Sequence, residues 1–323
     1  MNDTQDIINE HIGDSYNWHI ATIRGEHKEL HLPVIVRGQD GQWHVFSSGR
    51  LAHGHSWEGF AIDSQGKVAE MMPDGSLQRP IDLSVTKNVA GLMMSGILIT
   101  MLILYCARWY RKHPLQTPGG LVGAIELVTC YVYDNVVESI IGKDKGMRFA
   151  PYLLTAFYFI LTCNLVGLIP FFPFGMNLTG NIAVTVTLAL ATFLVVNLTA
   201  TRHYWRDILW PDVPLLLKCP IPLMPVIEIL GMFTKPFSLT IRLLANIMAG
   251  HIIILSIICM IFTTVSMGSV MHSGITAVAV GMAIFMNMME LMVAFLQAFV
   301  FVTLSASYIS AAQATGEAEQ GHK

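Results

Sequence analysis

Polar and apolar positions change character once along the chain. Between residues 31 and 80, short runs with strand-like composition are separated by turn-forming residues. LPVIV and WHVFSS flank Asp40-Gly41, FAI and KVAEMM flank SQG, and PDGS follows at 73–76. Strand-like runs joined by such turns predict one or two small β-hairpins. From residue 88 the runs lengthen. NVAGLMMSGILITMLILYCA (88–107) supplies the roughly 20 apolar residues a helix needs to cross about 30 Å of hydrocarbon. Residues 150–171 predict a second span, closed by PFFPFG, and 182–199 a third. Two longer stretches follow at 221–265 and 275–311; Pro222, Pro225 and Pro236 interrupt the start of the first. A helix over 275–311 would reach about 55 Å, so it must tilt strongly or leave the membrane.

Between the first two spans, GGLVGAIELVTCYVYDNVVESIIG (119–142) sets Glu126, Asp134 and Glu138 beside a large apolar face. That pattern predicts an amphipathic helix at the interface. The expected fold is an all-α integral membrane protein. It has five membrane helices, including two long, strongly tilted C-terminal ones, plus the interfacial helix. A small N-terminal extension containing β-hairpins precedes them. The expected domains are residues 1–83, an extracytoplasmic extension, and 84–323, the membrane domain.

Composition supports this division. The chain is 53% hydrophobic and only 13% charged, against about 25% charged in soluble domains, and its mean hydropathy is +0.55. Residues 1–83 carry twice as many acidic as basic side chains, whereas basic residues lead in the remainder. Lysine and arginine cluster at Arg108, Arg111, Lys112, Lys143, Lys145 and Arg148, and again at Arg202, Arg206 and Lys218. The loops at 172–180 and 266–274 hold none. The positive-inside rule then places the basic loops in the cytoplasm, the N-terminus outside and the C-terminus inside. Residues 1–20 lack both a basic n-region and an apolar core, so they do not resemble a signal peptide. Cys106, Cys130, Cys163, Cys219 and Cys259 are scattered and imply neither a disulfide framework nor a metal site. His53 and His55 have no further ligand at suitable spacing and are expected to be surface histidines. No cofactor is expected.

Between 219 and 311 the formally charged residues are Glu228, Lys235, Arg242 and Glu290. A charge at mid-bilayer costs at least about 2.5–3.5 kcal/mol, so such groups face a cavity, a partner or one another. Glu228, Lys235, Arg242 and Asn246 recur at intervals of seven, seven and four, which puts them on one face of a continuous helix. Glu290 and Gln297, seven apart, share a face of the next helix. His251 stands about half a turn round from Arg242. Glu228 and Lys235 are either a mutually neutralising pair or functional groups. Glu290 and His251 are either a satisfied buried pair or two titratable groups of a proton path. Arg242 cannot relay protons, because its guanidinium is always charged. It can hold a carboxylate, and none stands near it in sequence, so the partner is expected on another chain.

KPFSLTIRLLANIMAGH (235–251), AIELV (124–128), NLVGLIP (164–170) and ELMVAFLQAFVFVTLS (290–305) together resemble subunit a of the rotary F-type ATP synthase. The resemblance covers roughly residues 88–312. It implies a bacterial plasma-membrane stator that offers two proton half-channels to a ring of c subunits, with the b-subunit peripheral stalk and other synthase subunits as partners. Protons and the lipid bilayer are its other ligands, and nucleic acid is not. ATP chemistry would belong to other subunits. Carried over by residue, Arg242 matches the essential arginine, Asn246 its polar companion and Gln297 the glutamine facing it. His251 and Glu290 match an imidazole–carboxylate pair. Glu228 and Lys235 match polar positions of the long helix, and Asn181 or Thr179 is expected to line the entry path. Residues 1–83 are longer than the family's usual tail. A secondary ion antiporter or other proton-coupled transporter is the alternative, but no second copy of the arginine block exists to form the repeat such folds show. A haem- or quinone-binding subunit would want paired histidines within spans, and an intramembrane protease would want serine and histidine at one depth.

Overall fold

A computed structural model describes residues 15–23, 26–63, 66–72, 76–169, 178–209, 223–264 and 269–313. Strands β1 (Asn17–Ile23) and β2 (Glu26–His31) form an antiparallel pair. Strands β3 (Pro33–Arg37), β4 (Trp43–Ser47) and β8 (Ile81–Asp82) form a sheet in the order β4-β3-β8, and β5 (Phe60–Ile62), β6 (Val68–Met71) and β7 (Leu77–Gln78) form another. Alternation drives the burial: Val34, Val36 and Phe46 point inward with Tyr16, Leu51, Phe60 and Val68 to make a small core. At the tip of β3–β4, Gly41 adopts φ +77° and its N–H bonds the Gly38 carbonyl. Glu58 (φ +51°) and Gly59 (φ +83°) turn the chain between Trp57 and Phe60, which exchange two backbone hydrogen bonds. Such positive-φ pairs suit the twist of a tight hairpin.

The helices are α1 (Lys87–Lys112), α2 (Gly120–Val132, continuing as a wider π-type turn over Tyr133–Ile141), α3 (Lys143–Leu168), α4 (Ile182–Thr199), α5 (Arg202–Leu209), α6 (Leu223–Thr263) and α7 (Ser269–Gln313). Among the described residues, six helices are long and apolar enough to cross a membrane, α2 with its continuation included. Several boundaries differ from the sequence expectation. Helix α3 starts at Lys143 rather than 150 and carries Pro151 within it. Its basic first turns had the composition of a loop. Helix α7 extends to Ser269 and Gln313, beyond the expected 275–311. At 45 residues it is about 67 Å long. The PFFPFG and PDGS stretches lie largely or wholly outside the described residues.

The chain divides into two compact units: Met1–Ile97, Val166–Leu178 and His251–Ala283 form one, and Leu98–Leu165, Thr179–Gly250 and Ile284–Lys323 the other. In the second, a core of Val132, Val136, Leu153, Phe157, Ile160, Leu239, Leu243, Ala298, Val302 and Ile309 joins α2, α3, α6 and α7. Small residues on α7 let the helices approach closely, which replaces the missing hydrophobic drive between helices in lipid. Buried hydroxyls are tied across helices: Tyr158 Oη lies 2.6 Å from Thr129 Oγ1, and Tyr152 Oη 2.8 Å from Thr192 Oγ1. Leu127, Leu198, Phe237 and Met288 are exposed, as expected where the solvent is hydrocarbon.

Candidate functional site on the two long helices

Helix α6 runs unbroken past Pro236, whose carbonyl accepts a hydrogen bond from Thr240 Oγ1 (3.0 Å). Leu239, Leu243 and Ile247, one turn apart, are buried. That stripe fixes the rotation of the helix and leaves Ser238, Arg242, Ala245, Asn246 and Ala249 exposed. Arg242 forms no ion pair or hydrogen bond among the described residues. One turn along, Asn246 Nδ2 donates to Gln297 Oε1 of α7 at 2.8 Å, and Gln297 is only 4% exposed. Asn246 and Gln297 are thereby oriented by each other, while Arg242 keeps its full bonding capacity.

Glu290 is 6% exposed. It stands against α6 at Gly250, where an added Cβ would come within 3.0 Å of Glu290 Oε1. The glycine therefore makes room for the carboxylate. A turn further along α7, the Ala294 carbonyl accepts Asn164 Nδ2 at 3.1 Å, and Asn164 Oδ1 accepts Thr179 Oγ1 at 2.8 Å. Both side chains are buried, so a polar thread from α3 and the residues before α4 ends beside the carboxylate helix. Asn164 and Gly250 were not singled out from sequence. Asn164 had a signal, as a polar residue inside the apolar NLVGLIP block; Gly250 had none, because its contribution is an absent atom.

The remaining residues fall elsewhere. His251 follows Gly250 on α6, and its side chain lies outside the described residues. Asn181 caps α4, its Oδ1 accepting the Ala183 N–H at 2.9 Å, so that oxygen is already engaged in holding the helix start. Glu228 is exposed and forms no ion pair with Lys235 among the described residues. Lys235 Nζ instead lies 5.4 Å from the centre of the Tyr308 ring. It borders a small recess with Thr192, Asn197 and Tyr204. Pairing across two helical turns loses to a ring directly opposite, since an ammonium is held well over an aromatic face. His55 is exposed, and no cluster of metal-ligating residues occurs among the described residues.

Residues 91–310 match the family model described as ATP synthase A chain. Residues 7–86 match a model described only as a domain of unknown function. ATP synthase subunit a 2 of Chlorobaculum tepidum is 40% identical over 250 residues, covering 75% of this chain and 67% of its own. ATP synthase subunit a of Myxococcus xanthus is 34% identical, covering 87% of this chain and 86% of its own. That of Anaeromyxobacter dehalogenans is 33% identical, covering 98% and 79%. With a match over more than half its length, the chain belongs to the ATP synthase A chain family.

Proposed function

We propose that Arg242 is the permanent charge of this proton-translocating stator and that it pairs with a carboxylate on a ring of c subunits. Family membership makes the chain a multi-pass membrane subunit that works with other ATP synthase subunits. The assignment of Arg242 is carried by one observation: the guanidinium is exposed and unpaired among the described residues, beside Ser238, Ala245 and Ala249. Small neighbours allow another helix to come close, and a cation in apolar surroundings demands an anion.

Protons enter from outside along a path that uses His251, Glu290 and the Thr179–Asn164 thread, with Asn181 at its mouth. They neutralise the ring carboxylate, which can then face lipid. After nearly a full turn the proton leaves toward the cytoplasm, past Glu228 and Lys235. Arg242 separates the two half-channels, and Asn246 and Gln297 hold the surface around it. Each proton crossing 100 mV delivers about 2.3 kcal/mol, so several must accumulate per ATP. ATP chemistry lies on other subunits, and a b-type stalk holds the chain against the ring. In the bacterial plasma membrane, five helices span, α2 lies at the interface, and α6 and α7 are tilted. The N-terminus is outside and the C-terminus cytoplasmic, with residues 1–83 an extracytoplasmic extension.

Arg242→Ala in the assembled complex tests the central claim. ATP-driven proton pumping in inverted vesicles should vanish while subunit assembly is retained; normal pumping overturns the role.

A further inference from the structure

One face of the N-terminal sheet is apolar and open. In the β4-β3-β8 sheet, Ile35 stands opposite Val45, and Arg37 opposite both Trp43 and Ile81. Directly paired residues project from the same side of a sheet, so these five side chains share a face. Leu83 joins them by alternation, its N–H bonded to the Ile35 carbonyl at 2.9 Å. Trp43, Val45, Ile81 and Leu83 are 51%, 67%, 60% and 62% exposed. The opposite side, with Val34, Val36 and Phe46, is the buried one. An open apolar face of this kind marks a surface that is normally covered.

What covers it follows from where the sheet is tied. Leu83 bonds Ile35, the Val85 N–H bonds the Pro33 carbonyl at 3.1 Å, and the Lys87 N–H bonds the Ser15 carbonyl at 2.9 Å. The segment leading into α1 is thus stitched to the sheet and is not a free tether. From Ile81 to Lys87 even extended chain spans only about 20 Å. On α1 the exposed Val89, Met93 and Ile97 recur every fourth residue, so an apolar stripe of the membrane helix begins just below the sheet. The face also has interfacial chemistry. Its tryptophan is accompanied by Arg37, whose guanidinium carbon lies 5.9 Å from the Trp43 ring centre, and Trp side chains favour the headgroup level. Residues 1–83 are net acidic, which disfavours anionic lipid.

We propose that the Trp43–Val45–Ile81–Leu83 face seats on the headgroup–acyl boundary of a zwitterionic phospholipid bilayer, so that the N-terminal sheet is a membrane-surface clamp at the head of α1. The proposal requires α1 to enter the bilayer; it is independent of the ring mechanism and of which side is cytoplasmic.

The test uses the assembled synthase in phosphatidylcholine nanodiscs. Nitroxides are attached at Val45→Cys and Ile81→Cys, with Lys67→Cys as a polar control, in a chain whose native cysteines are replaced by alanine. Both sheet positions should show an oxygen-to-NiEDDA accessibility ratio several-fold above the control. A ratio equal to the control means water and overturns the proposal. Loss of both relaxants together with an immobilised label means a protein partner and also overturns it. With native cysteines retained, Trp43→Phe should remove part of the tryptophan quenching caused by bromine near the acyl-chain head; unchanged quenching refutes insertion.

Discussion

Helix α6 holds Glu228, Arg242 and Asn246 at exposed positions, whereas α7 buries Glu290, Gln297 and Ser305. The two helices are 41 and 45 residues long and similarly apolar, so length and hydropathy do not separate them. The difference lies in how each polar group is satisfied. On α7 two of these groups are provided for within the chain: Gln297 accepts from Asn246, and Ser305 Oγ donates to the Phe301 carbonyl at 2.8 Å. On α6 the guanidinium of Arg242 is left for something outside. Substitution of Arg242 on α6 should therefore abolish coupling, and substitution of Glu290 or Gln297 on α7 should impair the path that feeds it.

Arg242→Ala, with complete loss of pumping, should have the largest effect. Glu290→Gln should reduce passive proton flux through the membrane sector strongly, and a wild-type rate would assign the carboxylate to packing alone. The exchange His251→Glu with Glu290→His should retain more flux than either single change; a double variant no better than the worse single one would separate the two residues. Gln297→Leu removes the acceptor of Asn246 Nδ2, a loss of about 1 kcal/mol, and should lower flux without abolishing it. Gly250→Ala should act more weakly still, because its new Cβ crowds only the end of the Glu290 side chain. An effect of Gly250→Ala as large as that of Glu290→Gln would mean that the close approach itself is essential.

The smallest effect belongs to the sheet unit. His44 bonds Glu58 Oε2 through Nδ1 at 3.0 Å and Asp40 Oδ2 through Nε2 at 3.1 Å. The Glu58 bond, then the Asp40 bond, raise the imidazole above its ordinary value of 6.5. A raised basic group stabilises the fold fully below its unfolded pKa and loses that contribution as pH rises through the folded pKa. Hydrogen-exchange protection of the β3–β4 amides, corrected for intrinsic rates, should thus fall modestly from about pH 6.5 upward. In His44→Gln it should be flat. An equal fall in the variant would exclude His44 as the cause.

Arg242, Asn246, Glu290 and Gln297 were legible in the sequence for one physical reason. A polar side chain in a long apolar run is costly, and spacings of four and seven put it on a definite face. That Gln297 comes to this face was implied by the family resemblance rather than by spacing, and the Asn246–Gln297 bond is the form the contact takes. Gly250 and the Thr179–Asn164 thread were less legible, because they depend on which helices meet. Lys235 illustrates the converse, since spacing suggested Glu228 as its partner while a ring distant in sequence stands opposite. In the N-terminal region the Asp40-Gly41 turn announced β3 and β4. Strand β8, two residues long and far along the chain, carried no signal of its own.

The last turn of α7 is bound from several directions. Lys145 Nζ donates to the Gln313 carbonyl at 2.9 Å and the Thr201 N–H to the Ala312 carbonyl at 3.0 Å. Ser310 Oγ donates to the Ile140 carbonyl at 2.9 Å, and Gln313 Nε2 bonds the Thr199 carbonyl. Mechanically, this is a beam with a built-in end. If a turning ring pushes sideways on α7 near Gln297, the bending moment is taken up at Ala312 and Gln313 and shared among α2, α3 and the α4–α5 junction. The stator would then resist recoil through stiffness at its far end, and cutting that anchorage would cost torque before it cost proton conduction.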